Sequence, residues 1–113
     1  MEKRLDDIYK LRPGWLDGQG LVPNEIDLNW LENLLGLFYP KDLVTPYFYP
    51  TPEGGLLIEW PIGDEDISLE VDFKTQTGSW HQLNLKNDAE IYQELDLNDP
   101  VDWEWIVRQI ECL

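Results

Sequence analysis

Hydrophobic and polar positions along the chain follow a helical period up to about residue 40 and a strand period after it. The clearest helical pattern begins either with Pro23 as the first helical residue or with Asn24 as the N-cap, and each residue type suits its position. Apolar residues then recur three and four positions apart, which predicts one apolar side of a helix: Ile26, Trp30, Leu31, Leu34, Leu35 and Phe38. We expect this helix to end near Tyr39, because Pro40 disfavours helical geometry in the residue before it.

Two shorter helical patterns lie at the ends of the chain. Residues 2–12 predict a helix that Pro13 and Gly14 stop, with apolar residues available for one side: Leu5, Ile8, Tyr9 and Leu11. Near the C-terminus, Asp99 is a suitable N-cap and Pro100 a suitable first helical residue. The apolar positions after them recur at helical spacing: Trp103, Ile106, Val107 and Ile110.

The segment 43–85 shows the alternation expected of β-strands. Pro46 and Pro50 flank residues 47–49, which predicts an edge strand, because proline cannot donate to a strand ladder. Residues 56–62 predict its hairpin partner, and residues 79–85 predict a weaker fourth strand. Residues 67–73 alternate strictly, and four side chains are predicted to face inward: Ile67, Leu69, Val71 and Phe73. Residues 86–98 are predicted as a loop, with a short strand at 91–95 as the alternative.

These elements predict an α+β fold with two N-terminal helices, a three- to four-stranded antiparallel sheet and one C-terminal helix, the helices packed on one face. The length of 113 residues favours a single domain spanning residues 1–113. One cysteine, Cys112, allows no internal disulfide and suits a reducing compartment. The chain shows neither a signal peptide nor an apolar run long enough to span a membrane, so we expect a cytoplasmic protein.

Three short motifs resemble the pattern of a group of small, largely uncharacterised bacterial proteins. The segment from Gly14 to Gly20 resembles a GW-x-D-G-x-G loop, with Leu16 at a place where the commoner form has no residue. Residues 46–55 resemble a P-x-x-P-x-x-G-G turn, and residues 54–60 resemble a GG-x-x-x-EW hairpin. The resemblance covers residues 10–75; it implies a compact α+β domain and implies no activity.

Acidic residues greatly outnumber basic ones. The chain holds 23 Asp and Glu against 8 Lys and Arg, which gives a net charge of −15. Half of the basic residues lie in the first twelve positions: Lys3, Arg4, Lys10 and Arg12. Such a charge disfavours direct binding to nucleic acid or to anionic membranes and favours a basic protein partner. Solubility alone is the alternative explanation of an acidic surface.

No set of residues predicts catalysis, a metal or a cofactor. Glu59 is the best candidate for a carboxylate-dependent hydrolase because it lies in an otherwise apolar strand, but a glutamate that faces solvent or pairs with a basic residue is the preferred interpretation. His81 is the only histidine and Cys112 is far from it in sequence, so no zinc site is expected. The run from Asp64 to Asp66 lacks the spacing of a calcium-binding loop. Phosphate-binding loops and nucleophile motifs are also missing.

The acidic turn after residue 62 and the start of the C-terminal helix form the predicted partner-binding site: Asp64, Glu65, Asp66, Asp102, Glu104 and Trp105. Trp105 lies off the apolar face that contains Trp103 and Ile106, and an exposed tryptophan between acids is typical of a binding hot spot. The alternative is that Trp105 packs beneath residues 86–98.

The predicted function is that of a non-enzymatic acidic binding protein. Such a protein neutralises or regulates a basic, nucleic-acid-directed partner, as an antitoxin, an immunity protein or a DNA-mimic inhibitor does. Carboxylates can occupy sites built for phosphates, and opposite net charges speed association. The alternatives are a generic structural or accessory interaction module and a small hydrolase centred on Glu59.

Overall fold

The structure is a computed structural model that describes residues 2–16, 18 and 20–113, and for residues 2–4 the backbone only. Its elements follow in this order: α1 Glu2–Tyr9, α2 Glu25–Phe38, β1 Tyr47–Pro50, β2 Leu56–Ile62, β3 Glu65–Asp72, β4 Thr77–Asn84, β5 Glu90–Asp96 and α3 Pro100–Glu111. The loop predicted between Gly14 and Gly20 includes Asp17 and Gln19, which lie outside the described residues.

The described strands form one antiparallel sheet in the order β1-β2-β3-β4-β5, in which each strand pairs with its neighbours in the sequence. The predicted α+β class and the hairpin of β1 and β2 are confirmed. The predicted number of three to four strands is wrong, because the described residues form five. The segment predicted as a loop, residues 86–98, contains β5. Leu95 is the only buried side chain of β5. A strand that buries so little lacks the apolar alternation by which strands are predicted.

The helix arrangement differs from the predicted pair of N-terminal helices. Only the short α1 lies at the N-terminus of the described chain, and it ends at Tyr9 rather than at residue 12. α2 lies in the middle of the chain, and its predicted cap is confirmed, because the Asn24 side chain accepts the Ile26 N–H at 2.7 Å. α3 begins as predicted, with Asp99 as N-cap and Pro100 in the first turn. None of the described helices has the length and apolar composition needed to cross a membrane.

Side chains of α2 and α3 pack against the same face of the sheet. Trp30 of α2 contacts Phe73 at the end of β3, and Trp105 of α3 contacts Trp80 of β4, with ring centroids 6.2 and 5.3 Å apart. Eight side chains are buried on this face: Leu56, Ile58, Trp60, Ile67, Leu69, Val71, Phe73 and Trp80. The four that were predicted to face inward, Ile67, Leu69, Val71 and Phe73, are among them. Trp80 is buried because β4 is an interior strand and Trp105 of α3 packs on it.

The buried side of α2 is narrower than the predicted apolar side. Leu31 and Leu35 are buried as predicted, together with Leu28. Ile26 is 77% exposed, although the helical spacing placed it on the apolar side. Three further residues of the predicted side are only partly buried: Trp30, Leu34 and Phe38. They border the buried face, so the leucine row is the part of α2 that packs most deeply.

Candidate partner-binding surface

The acidic turn between β2 and β3 does not present its three carboxylates in one direction. Asp64 is exposed and forms an ion pair with Lys86, whose Nζ lies 3.3 Å from Oδ2. Glu65 begins β3 on the helix-covered face, where its Oε1 accepts a hydrogen bond from Asn84 Nδ2 at 3.0 Å. Asp66 follows in the strand and therefore points to the opposite face, where it is exposed. The alternation of the strand divides the predicted turn site between two faces.

The start of α3 contributes two carboxylates with different roles. Asp102 is half-buried, and its Oδ2 accepts a hydrogen bond from the Asp96 N–H at 2.6 Å. This bond closes the connection between β5 and α3, so the carboxylate is already occupied within the fold. Glu104 is exposed. Trp105 is half-buried, and its ring meets that of Trp80 at 80°, an edge-to-face contact. Trp105 therefore packs on the core rather than standing free in solvent.

The length of β3 separates the turn from the helix start. Glu65 begins this eight-residue strand and Asp72 ends it, which places them about 23 Å apart at a strand rise near 3.3 Å per residue. Asp72 pairs with Thr77, and Thr77 pairs with Asp96. Asp96 is the residue that Asp102 binds. Asp102 thus lies at the opposite end of the sheet from the acidic turn.

Trp105 and Glu65 are connected through two buried side chains. Trp105 packs on Trp80, whose Nε1 donates a hydrogen bond to Gln82 Oε1 at 3.3 Å. Gln82 Nε2 in turn donates to Glu65 Oε2 at 3.4 Å. Within the predicted set, Trp105 is therefore linked to Glu65 by a chain of side-chain contacts. Asp102 lies at the end of the sheet away from the acidic turn. The binding role of the predicted set stays a prediction.

A larger acidic surface lies on the side of the sheet opposite α2 and α3, here called the open face. Its residues alternate with buried ones along β2, β3 and most of β4. The carboxylates on it come from β2, β3 and β5: Glu59, Asp66, Glu70, Asp72, Glu90, Glu94 and Asp96. No lysine or arginine occurs in any of the described strands. The open face therefore combines negative charge with the rigidity of a hydrogen-bonded sheet.

Exposed aromatic rings stand at both edges of the open face. Tyr47 and Tyr49 of β1 are each 45% exposed, and Tyr92 of β5 is 71% exposed. Tyr92 stacks on His81 with ring centroids 4.5 Å apart and an interplanar angle of 26°. The other side of the imidazole approaches Glu90, whose Oε1 lies 3.7 Å from His81 Nε2. These rings provide flat contact area that charge alone does not.

Glu59, the residue predicted for a hydrolase, lies in the middle of the open face. It pairs in register with Tyr47 on one side and Ser68 on the other, and it is half-buried between them. Ser68 continues the row to His81 and Tyr92. These residues form one row across the open face, whereas an enclosing cleft is the usual setting for catalysis.

A shallow groove of about 830 Å³ lies at one end of the sheet. It runs between the turn after β1, near Gly54, and the segment at Leu21, which bridges to that turn. Glu70, Asp72 and Lys74 line its far side. Glu59 is not part of its lining, so this groove and the candidate catalytic carboxylate are separate features.

The described residues contain no group of histidine, cysteine and carboxylate side chains arranged to hold a metal ion.

The open face was not among the sites predicted from the sequence, although the sequence contains a signal for it. Carboxylates recur two or four positions apart at 66, 70 and 72 and again at 90, 94 and 96, the spacing that places side chains on one face of a strand. Assigning β5 as a strand would have joined the two sets.

Comparison of the chain with protein families, curated proteins and solved structures finds no match. The function is therefore inferred from the geometry of the chain itself.

Proposed function

We propose that the chain is a non-enzymatic acidic binding protein that neutralises or regulates a basic, nucleic-acid-directed partner protein. The function is that of an antitoxin, an immunity protein or a DNA-mimic inhibitor. The observation that carries this proposal is the open face, where carboxylates from β2, β3 and β5 share one sheet surface without a lysine or arginine among the strand residues.

The chemistry of the open face suits a partner that ordinarily binds phosphates. Proteins that bind nucleic acid contact the phosphate backbone mainly through lysine and arginine. Carboxylates such as Glu70 and Glu94 offer these cations oxygen acceptors of the same charge sign, held in place by the sheet. The net charge of −15 adds long-range attraction, which raises the association rate with a basic protein.

The exposed apolar residues of α2 support a second candidate, a generic accessory interaction module. Ile26 and Leu37 are 77% and 75% exposed on the outer side of this helix. A partner that binds there through apolar contacts would be insensitive to salt, whereas one that binds the open face would dissociate as salt is added.

Charge reversal on the open face tests the first proposal. Partners would be captured from the host of the protein, identified and purified, and their affinity measured for two variants with equal charge change. Asp66→Lys with Glu70→Lys alters the open face, and Asp7→Lys with Glu111→Lys alters exposed helix sites that belong neither to the open face nor to the predicted binding set. The open-face variant should bind a basic partner at least about tenfold more weakly than the helix variant does.

Competition with duplex DNA provides the second arm of this experiment. DNA should displace the protein from the purified partner if both occupy the same basic surface. If both variants lost the same affinity for the partner, the loss would be explained by net charge alone. That result would contradict a defined binding site on the open face. Recovery of partners that are not basic, bound equally well at high salt, would favour the α2 surface instead.

A further inference from the structure

β5 is an edge strand, and one side of its backbone faces away from the sheet. Two hydrogen bonds fix which residues point outward, because backbone groups alternate along an antiparallel ladder. Asn84 N–H donates to Ala89 O at one end, and Leu97 N–H donates to Gln76 O at the other. Both bonds show that the odd-numbered residues of β5 direct their backbone N–H and C=O groups towards β4. The N–H and C=O groups of four residues therefore point outward: Glu90, Tyr92, Glu94 and Asp96.

The outward backbone groups of β5 are hydrogen-bonded within the protein only near its C-terminal end. Asp102 accepts the Asp96 N–H, and the Gln93 side chain donates to Glu94 O at 3.1 Å. No described residue bonds the outward groups of Glu90 and Tyr92. The accessible edge therefore runs from the start of β5 to about Glu94.

β1, the other edge of the sheet, is built differently. It is four residues long, Pro50 ends it, and α1 packs beside it. Short length, proline and a covering element are the usual protections of a sheet edge. β5 is seven residues long, and proline is absent from it.

The side chains beside the accessible edge determine what can pair with it. Residues with outward backbone groups also place their side chains on the open face, so Glu90, Tyr92 and Glu94 stand along the edge in that order. A second copy of β5 would bring carboxylates against carboxylates, and like charges directly opposite destabilise a strand pair. A basic segment would meet opposite charges instead.

We propose that a basic, extended segment of the partner adds to the sheet as an antiparallel strand along β5. This inference rests on the proposed function, because it assigns the partner of the acidic open face a mode of binding. Backbone hydrogen bonds to Tyr92 provide the main-chain pairing, and side chains provide the selection. In an antiparallel pair, the residues directly opposite Glu90, Tyr92 and Glu94 carry their side chains on the open face.

Side-chain alternation defines the segment that fits. Lysine or arginine lies opposite Glu90 and Glu94, four positions apart in the segment, with the position opposite Tyr92 midway between them. Tyr92, 71% exposed and stacked on His81, accepts a guanidinium or an apolar side chain between them. Intervening side chains point to the helix side of the sheet, where Ile91 is 43% exposed and favours a β-branched residue.

Synthetic peptides with the seven-residue length of β5 test this inference on the unmodified protein. One peptide alternates lysine with threonine, and its control has the same composition with the lysines in one block. Two further versions of the alternating peptide carry two backbone N-methyl groups, either on lysines or on threonines. The lysine N–H groups face β5 in the proposed pairing, so methylation there should weaken binding at least about tenfold. Methylation of the threonines should weaken binding less than about threefold.

A pair of protein variants repeats the test from the other side. Proline at an edge position whose N–H points outward leaves the ladder with β4 intact. Tyr92→Pro should weaken binding of the alternating peptide more than Tyr92→Thr, which removes the same ring and keeps the N–H. Circular dichroism on both variants verifies that the sheet is retained, and the methylated peptides decide the question if it is not.

The outcomes separate this inference from the proposed function. Equal affinity of the two methylated peptides, or of the alternating and block peptides, overturns strand addition and leaves the acidic surface as the binding feature. Stronger loss on threonine methylation overturns the antiparallel geometry. Failure of every basic peptide to bind at low salt, together with recovery of no basic partner, overturns both.

Discussion

Asp102 and Asp96 are joined by a 2.6 Å hydrogen bond from the Asp96 backbone N–H to a carboxylate oxygen of Asp102. The bond occupies an outward-facing donor at the end of β5 and ties the first turn of α3 to the sheet. Edge strands of natural proteins are commonly protected in this way against pairing with other chains. A residue predicted for partner binding thus has a structural role in this fold, and it limits the accessible edge to the first part of β5.

Replacing Asp102 with alanine should destabilise the protein. The substitution leaves the Asp96 N–H without its partner and removes a negative charge from the first turn of α3, where the helix dipole favours one. We expect the free energy of unfolding to fall by about 1–2 kcal/mol, measured by urea denaturation.

Glu104→Ala provides the matched control for this substitution. Glu104 is an exposed carboxylate on the same helix, and its removal should change the free energy of unfolding by less than about 0.5 kcal/mol. Equal effects of the two substitutions would mean that the Asp102 bond adds nothing beyond the charge of α3.

Alanine substitutions along α2 should rank by burial rather than by hydrophobicity. Leu31 is fully buried, and Leu31→Ala should cost about 2–5 kcal/mol in the free energy of unfolding. Leu34 is half-buried, and the same change there should cost about 1–2 kcal/mol. Ile26→Ala should cost less than about 0.5 kcal/mol. A larger loss at Leu34 than at Leu31 would contradict the helix orientation described here.

Much of the fold could be predicted because several elements carry local signals. The Asn24 and Asp99 caps mark the starts of α2 and α3, and the strict alternation of β3 marks a half-buried strand. β5 has no such signal, because its position at the edge leaves most of its side chains in solvent. Its pairing with β4 is a non-local property that a periodicity analysis of β5 alone does not reveal.

The candidate site was harder to predict than the fold, for the same reason. Asp64, Glu65 and Asp66 are adjacent in sequence, yet the strand directs Glu65 and Asp66 to opposite faces. Trp105 lies off the main apolar face of α3, yet Trp80 gives it a packing partner. The open face unites residues from separate strands, so it becomes visible only once the register of the whole sheet is known.

The Tyr9 hydroxyl should make the protein more sensitive to alkaline pH. It lies 2.7 Å from Asn29 Oδ1 and 2.8 Å from Glu32 Oε2. Burial, followed by the hydrogen bond to Glu32, raises the pKa of Tyr9 to about 12. Because the pKa in the folded state exceeds the unfolded value near 10, the contribution of the neutral phenol is complete below pH 10. It is lost as the pH rises from about 10 to about 12.

Tyr9→Phe isolates this effect. Between pH 9 and pH 12 the free energy of unfolding should decline more steeply in the natural protein than in the variant, which has no phenol to ionise at this position. The raised pKa of buried Tyr39 acts in both proteins and cancels in the comparison. Parallel declines would contradict a Tyr9 pKa that is higher in the folded state than in the unfolded state.

Added salt should stabilise the protein. The net charge is −15, and the ion pairs formed by the described side chains are Lys86 with Asp64 and, when the imidazole is protonated, His81 with Glu90. Repulsion among carboxylates therefore outweighs attraction, and screening relieves it. We expect the melting temperature to rise by a few degrees between about 0.02 and 0.5 M sodium chloride.

The Asp66→Lys, Glu70→Lys variant determines whether the open face contributes to this repulsion. Asp66 and Glu70 are exposed on β3, on the same face and on either side of Ser68. Replacing them with lysine therefore places positive charge among the remaining carboxylates of the open face. The variant should melt at a higher temperature than the natural protein at low salt and should gain less from added salt. The Asp7→Lys, Glu111→Lys variant has the same net charge but leaves the open face unchanged, so its salt response should lie between the two. A melting temperature that falls with salt in the natural protein would mean that its carboxylates are already paired with the few basic residues.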